Sequence, residues 1–147
     1  MVRVLYSAVD IAKYVVTRCI EKQNPISNLK LQKMLYFIWI DFYKKTSEEL
    51  FFDEFCAWQF GPVVPDAYYE FCHYAGRPIF TAYYEVVLES RDEKLIDGII
   101  DSYISVPVSV LVSKSNRIGG AWDAIYRNGV GDREIIPFRL IKEKECV

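Results

Sequence analysis

Histidine is nearly absent from this sequence, since His73 is the only one in 147 residues. A single histidine excludes the H-E-x-x-H zinc site, and the four scattered cysteines form no C-x-x-C pair. The glycine signatures of dinucleotide, phosphate-loop and serine-hydrolase sites are also missing. Cys72 and His73 are adjacent, but neighbours on a helix point about 100° apart and do not form a nucleophile–base pair. We therefore predict no catalytic residue, no metal site and no cofactor.

The chain also lacks a strong charge of either sign and a long apolar run. Its net charge is −2 and its pI is near 5.5, which argues against direct nucleic-acid binding. No apolar run is long enough to span a membrane. Residues Met1–Leu5 lead straight into an amphipathic helix rather than a signal peptide. We expect a cytoplasmic protein with reduced thiols and no membrane partner.

Apolar residues make up 52% of the chain and aromatic residues 16%, enough for one sizeable core. The length predicts a single domain over residues 1–147. Helical spacing predicts a first helix from Ser7 to about Glu21 and a second from Ser27 or Asn28 to about Lys45. The second helix is apolar on most of its faces, which indicates a buried central helix. Its lysines, Lys30 and Lys33 among them, are expected on a solvated polar face.

Proline and glycine residues mark the boundaries of the predicted elements in the rest of the chain. Residues Phe51–Phe60 are expected to be extended and to end at Gly61-Pro62, after which Pro65 opens a helix. β-Branched and aromatic residues predict a strand over Pro78–Leu88. Three further helices and a tail that begins extended and ends helical complete the expectation: Asp92–Ile104, Pro107 to about Lys114, Ala121–Arg127, and Glu134–Glu145. The predicted fold is mainly α, a single-domain helical bundle around a buried central helix with a small antiparallel β element.

Three blocks of sequence resemble a known family. Ile26–Tyr36 contains L-K-L-Q-K-M-L-Y, and Phe55–Pro65 contains A-W-Q-F-G-P-V-V-P. Ala121–Tyr126, A-W-D-A-I-Y, precedes a later isoleucine pair. Together they resemble the Panacea domain, the family of phage-associated GepA-like and SocA-like antitoxins, over roughly Tyr6 to Ile141. Relatives usually carry Thr-His ahead of the third block, whereas this chain has Ser113–Gly120 there.

The resemblance implies an antitoxin that neutralises a cognate protein toxin by direct contact. A second hypothesis, also implied by the family, is a SocA-like adaptor that delivers a toxin to a ClpXP-type protease. An unrecognised enzyme remains a third hypothesis, although the sequence offers no residue for it.

The surface expected to bind the partner is the turn from Trp58 to Asp66. Loops between elements are usually exposed, and aromatic side chains there often dominate binding. The alternative is that Trp58 fills the core and Gly61-Pro62 is only a turn. Phe60, Val63 and Val64 are expected to form an apolar patch beside Asp66, with the segment from Gly119 to Tyr126 as the next candidate. The predicted partner-binding residues are Trp58, Phe60, Gly61, Pro62, Val63, Asp66, Tyr69, Trp122 and Tyr126.

Overall fold

Two capped helices begin the fold. The computed structural model describes residues 5–147, so the interpretation of Met1–Leu5 lies almost wholly outside the described residues. Helix α1 (Ala8–Glu21) begins where the Ser7 hydroxyl accepts a hydrogen bond from the Asp10 amide at 3.0 Å. Helix α2 (Asn28–Thr46) begins in the same way at Ser27. Both predicted helices are confirmed, because each cap satisfies an amide that the first turn leaves free.

Helix α2 is the buried centre of the bundle. All residues from 31 to 40 are buried, and Leu35 is 0% exposed. The Trp39 indole stacks on Phe138 with ring centroids 4.9 Å apart, and its N–H donates to the Phe51 carbonyl at 3.1 Å. The prediction of a central helix that is apolar on most faces is confirmed, since α2 packs against other elements on several sides.

A small antiparallel sheet lies beside α2, with strand order β2-β1-β3. Its strands are β1 (Phe55–Trp58), β2 (Gly61–Val63) and β3 (Ile135–Ile136). Residues 59 and 60 form a two-residue loop, since Trp58 pairs with Gly61 across the hairpin. The prediction that Gly61-Pro62 ends the extended segment is wrong, because these residues begin β2. Gly61 has φ +118°, a conformation that suits a glycine after a tight turn.

Five further α-helices and two short 3-10 helices complete the helical part of the described chain, and the mainly helical fold class is confirmed. Pro65 is the first residue of its helix, as predicted. Helix α1 is tied to the helix that contains Asp97 and Asp101 by polar bonds: Tyr14 donates to Asp97 at 2.7 Å, and Arg18 makes two bonds to Asp101. The remaining helices are α3 (Pro65–Phe71), α4 (Ser90–Tyr103), α5 (Val108–Ser115), α6 (Ala121–Tyr126) and α7 (Phe138–Glu145).

The segment Pro78–Leu88 is irregular, so the predicted strand there is wrong. Its backbone bonds to α1 and to the connection between α1 and α2 rather than to a strand: the Ile79 amide donates to the Ile26 carbonyl, and the Tyr83 amide donates to the Thr17 hydroxyl. Ile79 and Leu88 are buried. β-Branched and aromatic residues favour any half-buried extended surface, and here they cover the core without a partner strand.

No single helix within residues 5–147 is long and apolar enough to cross a membrane. Helices α4 and α5 reach that length and composition only together, across a bend of 105°.

Candidate functional site

A cleft of about 380 Å³ opens beside the β1–β2 hairpin. We call it the aromatic cleft. It lies between the first turns of α2, the hairpin, α3 and the segment before β3. Its lining is Asn28, Leu29, Gln32, Trp58, Gln59, Phe60, Val63, Tyr68, Cys72, Ala75, Asp132 and Arg133. A concave, largely apolar surface with a few polar groups is typical of a binding site.

Aromatic rings form one wall and the rim of the aromatic cleft. Trp58 meets Tyr68 edge to face at 5.0 Å and lies 6.1 Å from Tyr69. Phe60 sits in the hairpin loop with 60% of its surface exposed, and Tyr69 is 57% exposed. Trp58 is half-buried, so it both packs against α3 and faces the cleft. Phe60 and Tyr69 therefore present apolar area that the described residues leave exposed.

Arg133 lies over the Trp58 ring, with its guanidinium 4.4 Å from the ring centroid. Its backbone has φ +69°, a left-handed conformation that costs a non-glycine residue about 1–2 kcal/mol. The Arg133 amide donates to the Ala57 carbonyl at 2.6 Å, which offsets that cost and fixes the residue against β1. Among residues 5–147 the guanidinium forms no ion pair, so its charge is free for a partner.

Two buried amides form the floor of the aromatic cleft. Gln32 is 1% exposed and Asn28 is 3% exposed. Gln32 donates to Asn28 at 3.1 Å and accepts from the Val64 amide at 3.1 Å. Asn28 donates to the Tyr68 carbonyl at 3.0 Å. The chain of bonds ties α2 to α3 and to the end of the hairpin.

Lys33 is fully buried, so the prediction that it lies on a solvated face is wrong. It is 0% exposed, and its ammonium donates to the Pro62 carbonyl at 2.6 Å. Burial lowers the pKa of Lys33 from 10.5 to about 7, because a charged amine loses its hydration there. A buried charge is tolerated only with a hydrogen-bond partner, and the fold supplies one from the hairpin.

The solvated-face prediction is also wrong for Lys30. This side chain is half-buried, its ammonium donates to the Ile104 carbonyl, and burial lowers its pKa. Tyr36, further along the same helix, donates to Glu145 at 3.3 Å. The polar residues of the L-K-L-Q-K block therefore bind the backbone or ends of other elements. These contacts hold together the elements that surround the hairpin.

The third sequence block also supports the hairpin. The Trp122 indole N–H donates to the Trp58 carbonyl at 2.8 Å, and its ring stacks on Tyr126 at 4.5 Å. The Ala121 amide, at the start of α6, donates to Glu145 at 3.0 Å. Trp122 is only 8% exposed, so most of its surface is already in contact with this chain.

The structure divides the predicted partner surface into two. Phe60 and Trp58 line the aromatic cleft, whereas Asp66 lines a separate shallow groove with Cys56. The expected exposure of Val63 and Val64 is wrong: they are 5% and 1% exposed, because β2 packs against α2. Gly61 and Pro62 are buried as well, and their contacts are with this chain.

Of the residues that line the aromatic cleft, the sequence analysis named only Trp58, Phe60 and Val63; Asn28, Gln32 and Arg133 are among those it missed. Asn28 and Gln32 belong to the first block, where only their polarity hinted at a role. Arg133 lies far from Trp58 in the sequence, and no sequence pattern around it indicates a place in the cleft. It reaches Trp58 only because β3 pairs with β1.

No group of three or more metal-ligating side chains occurs within residues 5–147. The four cysteines are free: Cys19 is buried, Cys56 and Cys146 are half-buried, and Cys72 is exposed. Burial raises the pKa of the Cys19 thiol to about 12, so it is a poor nucleophile.

The family model described as "Antitoxin SocA-like, Panacea domain" matches residues 31–123. This stretch contains the hairpin and Trp122. The chain belongs to the SocA-like Panacea-domain family. It is also 36% identical over 121 residues to Antitoxin SocA of Caulobacter vibrioides (strain NA1000 / CB15N), covering 73% of this chain and 63% of that relative. The chain therefore spans less than two thirds of the relative's length. No solved structure matches it.

The matched stretch of the Panacea domain does not include the whole aromatic cleft. Asp132 and Arg133 lie beyond residue 123, and Asn28 and Leu29 precede residue 31. Lys33 and Trp122, which bind the hairpin carbonyls, are thus inside the matched stretch, while β3 and the charged rim are outside it.

Proposed function

We propose that this Panacea domain is an antitoxin that neutralises a cognate protein toxin by direct, non-enzymatic binding at the aromatic cleft. The family supports the antitoxin role. The observation that carries the binding mode is Phe60, an aromatic side chain exposed at the tip of a hairpin. Exposed aromatic residues beside a well-formed pocket are the usual centres of protein interfaces.

The hairpin that displays Phe60 is held from several directions. Lys33 binds the Pro62 carbonyl, and Trp122 binds the Trp58 carbonyl. On the third side, the Ala57 amide donates to the Glu134 carbonyl at 2.8 Å. A rigid loop loses little conformational entropy when a partner binds, so more of the contact energy appears as affinity.

The proposal is tested by co-expression with the product of the adjacent gene, followed by growth measurement and co-purification. We expect growth rescue and a stable complex. Phe60→Ala should weaken the complex by about 2 kcal/mol, or roughly thirtyfold in Kd.

Phe52→Ala is the matched control, since Phe52 is 55% exposed and does not line the aromatic cleft. Thermal melts of both variants check that folding is unchanged. If Phe60→Ala binds as the wild type does, the cleft is not the interface. If the toxin is neutralised without any complex, direct binding is wrong.

The lifetime of the toxin distinguishes our proposal of direct binding from the adaptor hypothesis. Under our proposal, rescue persists in cells that lack ClpXP and the toxin keeps its half-life. Rescue that requires ClpXP, with rapid loss of the toxin, would favour an adaptor. The cytoplasmic location stays a prediction, which fractionation of expressing cells would test.

A further inference from the structure

We propose that the aromatic cleft takes an extended segment of the toxin that carries an apolar side chain and, nearby on the same face, an acidic one. The acidic side chain would pair with Arg133. This inference rests on the proposed function and names the chemistry of the partner at the same site. It combines three features of the cleft: an apolar wall, spare amide hydrogens on the floor, and one unpaired cation at the rim.

The apolar wall fits a side chain rather than a flat surface. Trp58 and Phe60 face the space on the hairpin side, and Leu29, 37% exposed, faces it from α2. Three apolar groups on two elements bound a recess of about 380 Å³. A recess of this size accommodates an aliphatic or aromatic side chain together with its backbone.

The floor offers hydrogen-bond donors that the described chain does not use. Each side-chain amide carries two N–H groups. Asn28 uses one on the Tyr68 carbonyl, and Gln32 uses one on Asn28. One N–H on each residue therefore has no protein acceptor among residues 5–147, although both residues are almost fully buried. Buried donors need a partner, and the backbone carbonyl groups of an extended peptide supply acceptors.

The rim selects the charge of the segment. Of the residues that line the aromatic cleft, Arg133 is the one cation and Asp132 the one anion. The Arg133 guanidinium is held over Trp58 and has no ion pair within the described chain. A planar guanidinium binds carboxylates with two parallel bonds, so it favours an acidic side chain. Asp132 repels that carboxylate, so its negative charge weakens the binding of an acidic side chain.

The test measures the Kd of the purified complex with the adjacent gene product by isothermal titration calorimetry. Arg133→Glu should raise the Kd by about tenfold or more, and Arg133→Lys by less. Asp132→Asn should lower the Kd, because it removes the opposing charge. Arg139→Glu, at an exposed side chain of α7 outside the cleft, makes the same charge change and should leave the Kd within about twofold.

A charge-swap experiment identifies the paired residue on the toxin. Each acidic residue of the toxin is changed to Arg in turn and assayed against Arg133→Glu. One position should restore binding to the Arg133→Glu protein while weakening binding to the wild type. If no position does so, or if Asp132→Asn binds more weakly than the wild type, the proposed pairing is wrong.

Two cysteines report which side of the hairpin is covered. Cys72 lines the aromatic cleft, whereas Cys56 lines the groove that contains Asp66. Alkylation by iodoacetamide, followed by mass spectrometry, should show Cys72 protected in the complex and Cys56 unchanged. Protection of Cys56 alone would place the interface on the other groove. A toxin that binds the wild type but not through Arg133 overturns only this inference, while a toxin that does not bind at all overturns the proposed function.

Discussion

The buried Lys33 should make the stability of the fold rise with pH near neutrality. Its pKa falls from 10.5 in the unfolded chain to about 7 in the folded protein. Between these values the unfolded chain binds more protons than the folded one, so the free energy of unfolding increases as the pH rises. From pH 7 to 8.5 this one group should add about 1.5 kcal/mol, since each pH unit contributes at most about 1.4 kcal/mol.

Lys33→Met isolates this effect, because methionine fills a similar space without a charge. We expect the stability difference between Lys33→Met and the wild type to shift by about 1.5 kcal/mol in favour of the wild type from pH 7 to 8.5. The raised pKa of the Cys19 thiol lowers the free energy of unfolding as the pH rises above about 8.5, but this effect is the same in both proteins.

The assay is urea unfolding followed by tryptophan fluorescence at pH 7.0, 7.5, 8.0 and 8.5. Lys45→Met is the control, since Lys45 is exposed on the same helix. Its unfolding free energy should run parallel to that of the wild type across the range. Parallel curves for Lys33→Met and the wild type would refute the reasoning, because they would show that Lys33 keeps an ordinary pKa.

Two further substitutions test the packing. Gly61→Ala should destabilise the fold by about 2 kcal/mol or more, because φ is +118° and the added carbon would lie 2.7 Å from Asn116 Oδ1 and 2.9 Å from Lys33 Nζ. Gly98→Ala should instead stabilise the fold by about 1 kcal/mol, because the added carbon meets open space and alanine favours the interior of α4. Unfolding midpoints of the two variants that move in the same direction would contradict this. Leu35→Ala should cost about 2–5 kcal/mol, since Leu35 is fully buried in α2, and an unchanged urea midpoint would show that the core is described wrongly.

Local signals in the sequence were sufficient for most of the helices. Ser7 and Ser27 precede apolar residues at helical spacing, and Pro65 suits the first turn of a helix, so these starts were predictable. The segment Pro78–Leu88 was not, because its β-branched residues resemble those of a strand. Whether such a segment pairs depends on a partner strand, which only the fold supplies or withholds.

The candidate site was predictable only in part. Phe60 was found because a residue beside Gly61 in a turn is expected to be exposed. The burial of Lys33 was missed because a lysine is ordinarily solvated, and its partner is a backbone carbonyl 29 positions away that leaves no mark in the sequence. Arg133 was missed for the same reason, since its contact with Trp58 depends on the pairing of β3 with β1.

The most direct test of the central claim is calorimetric titration of the purified protein with the adjacent gene product, using the wild type, Phe60→Ala and Phe52→Ala. We predict one-site binding by the wild type, a Kd raised roughly thirtyfold by Phe60→Ala, and no change with Phe52→Ala. Equal affinity for all three folded proteins would contradict the assignment of the aromatic cleft. No heat of binding from the wild type, with cells still rescued, would contradict neutralisation by direct contact.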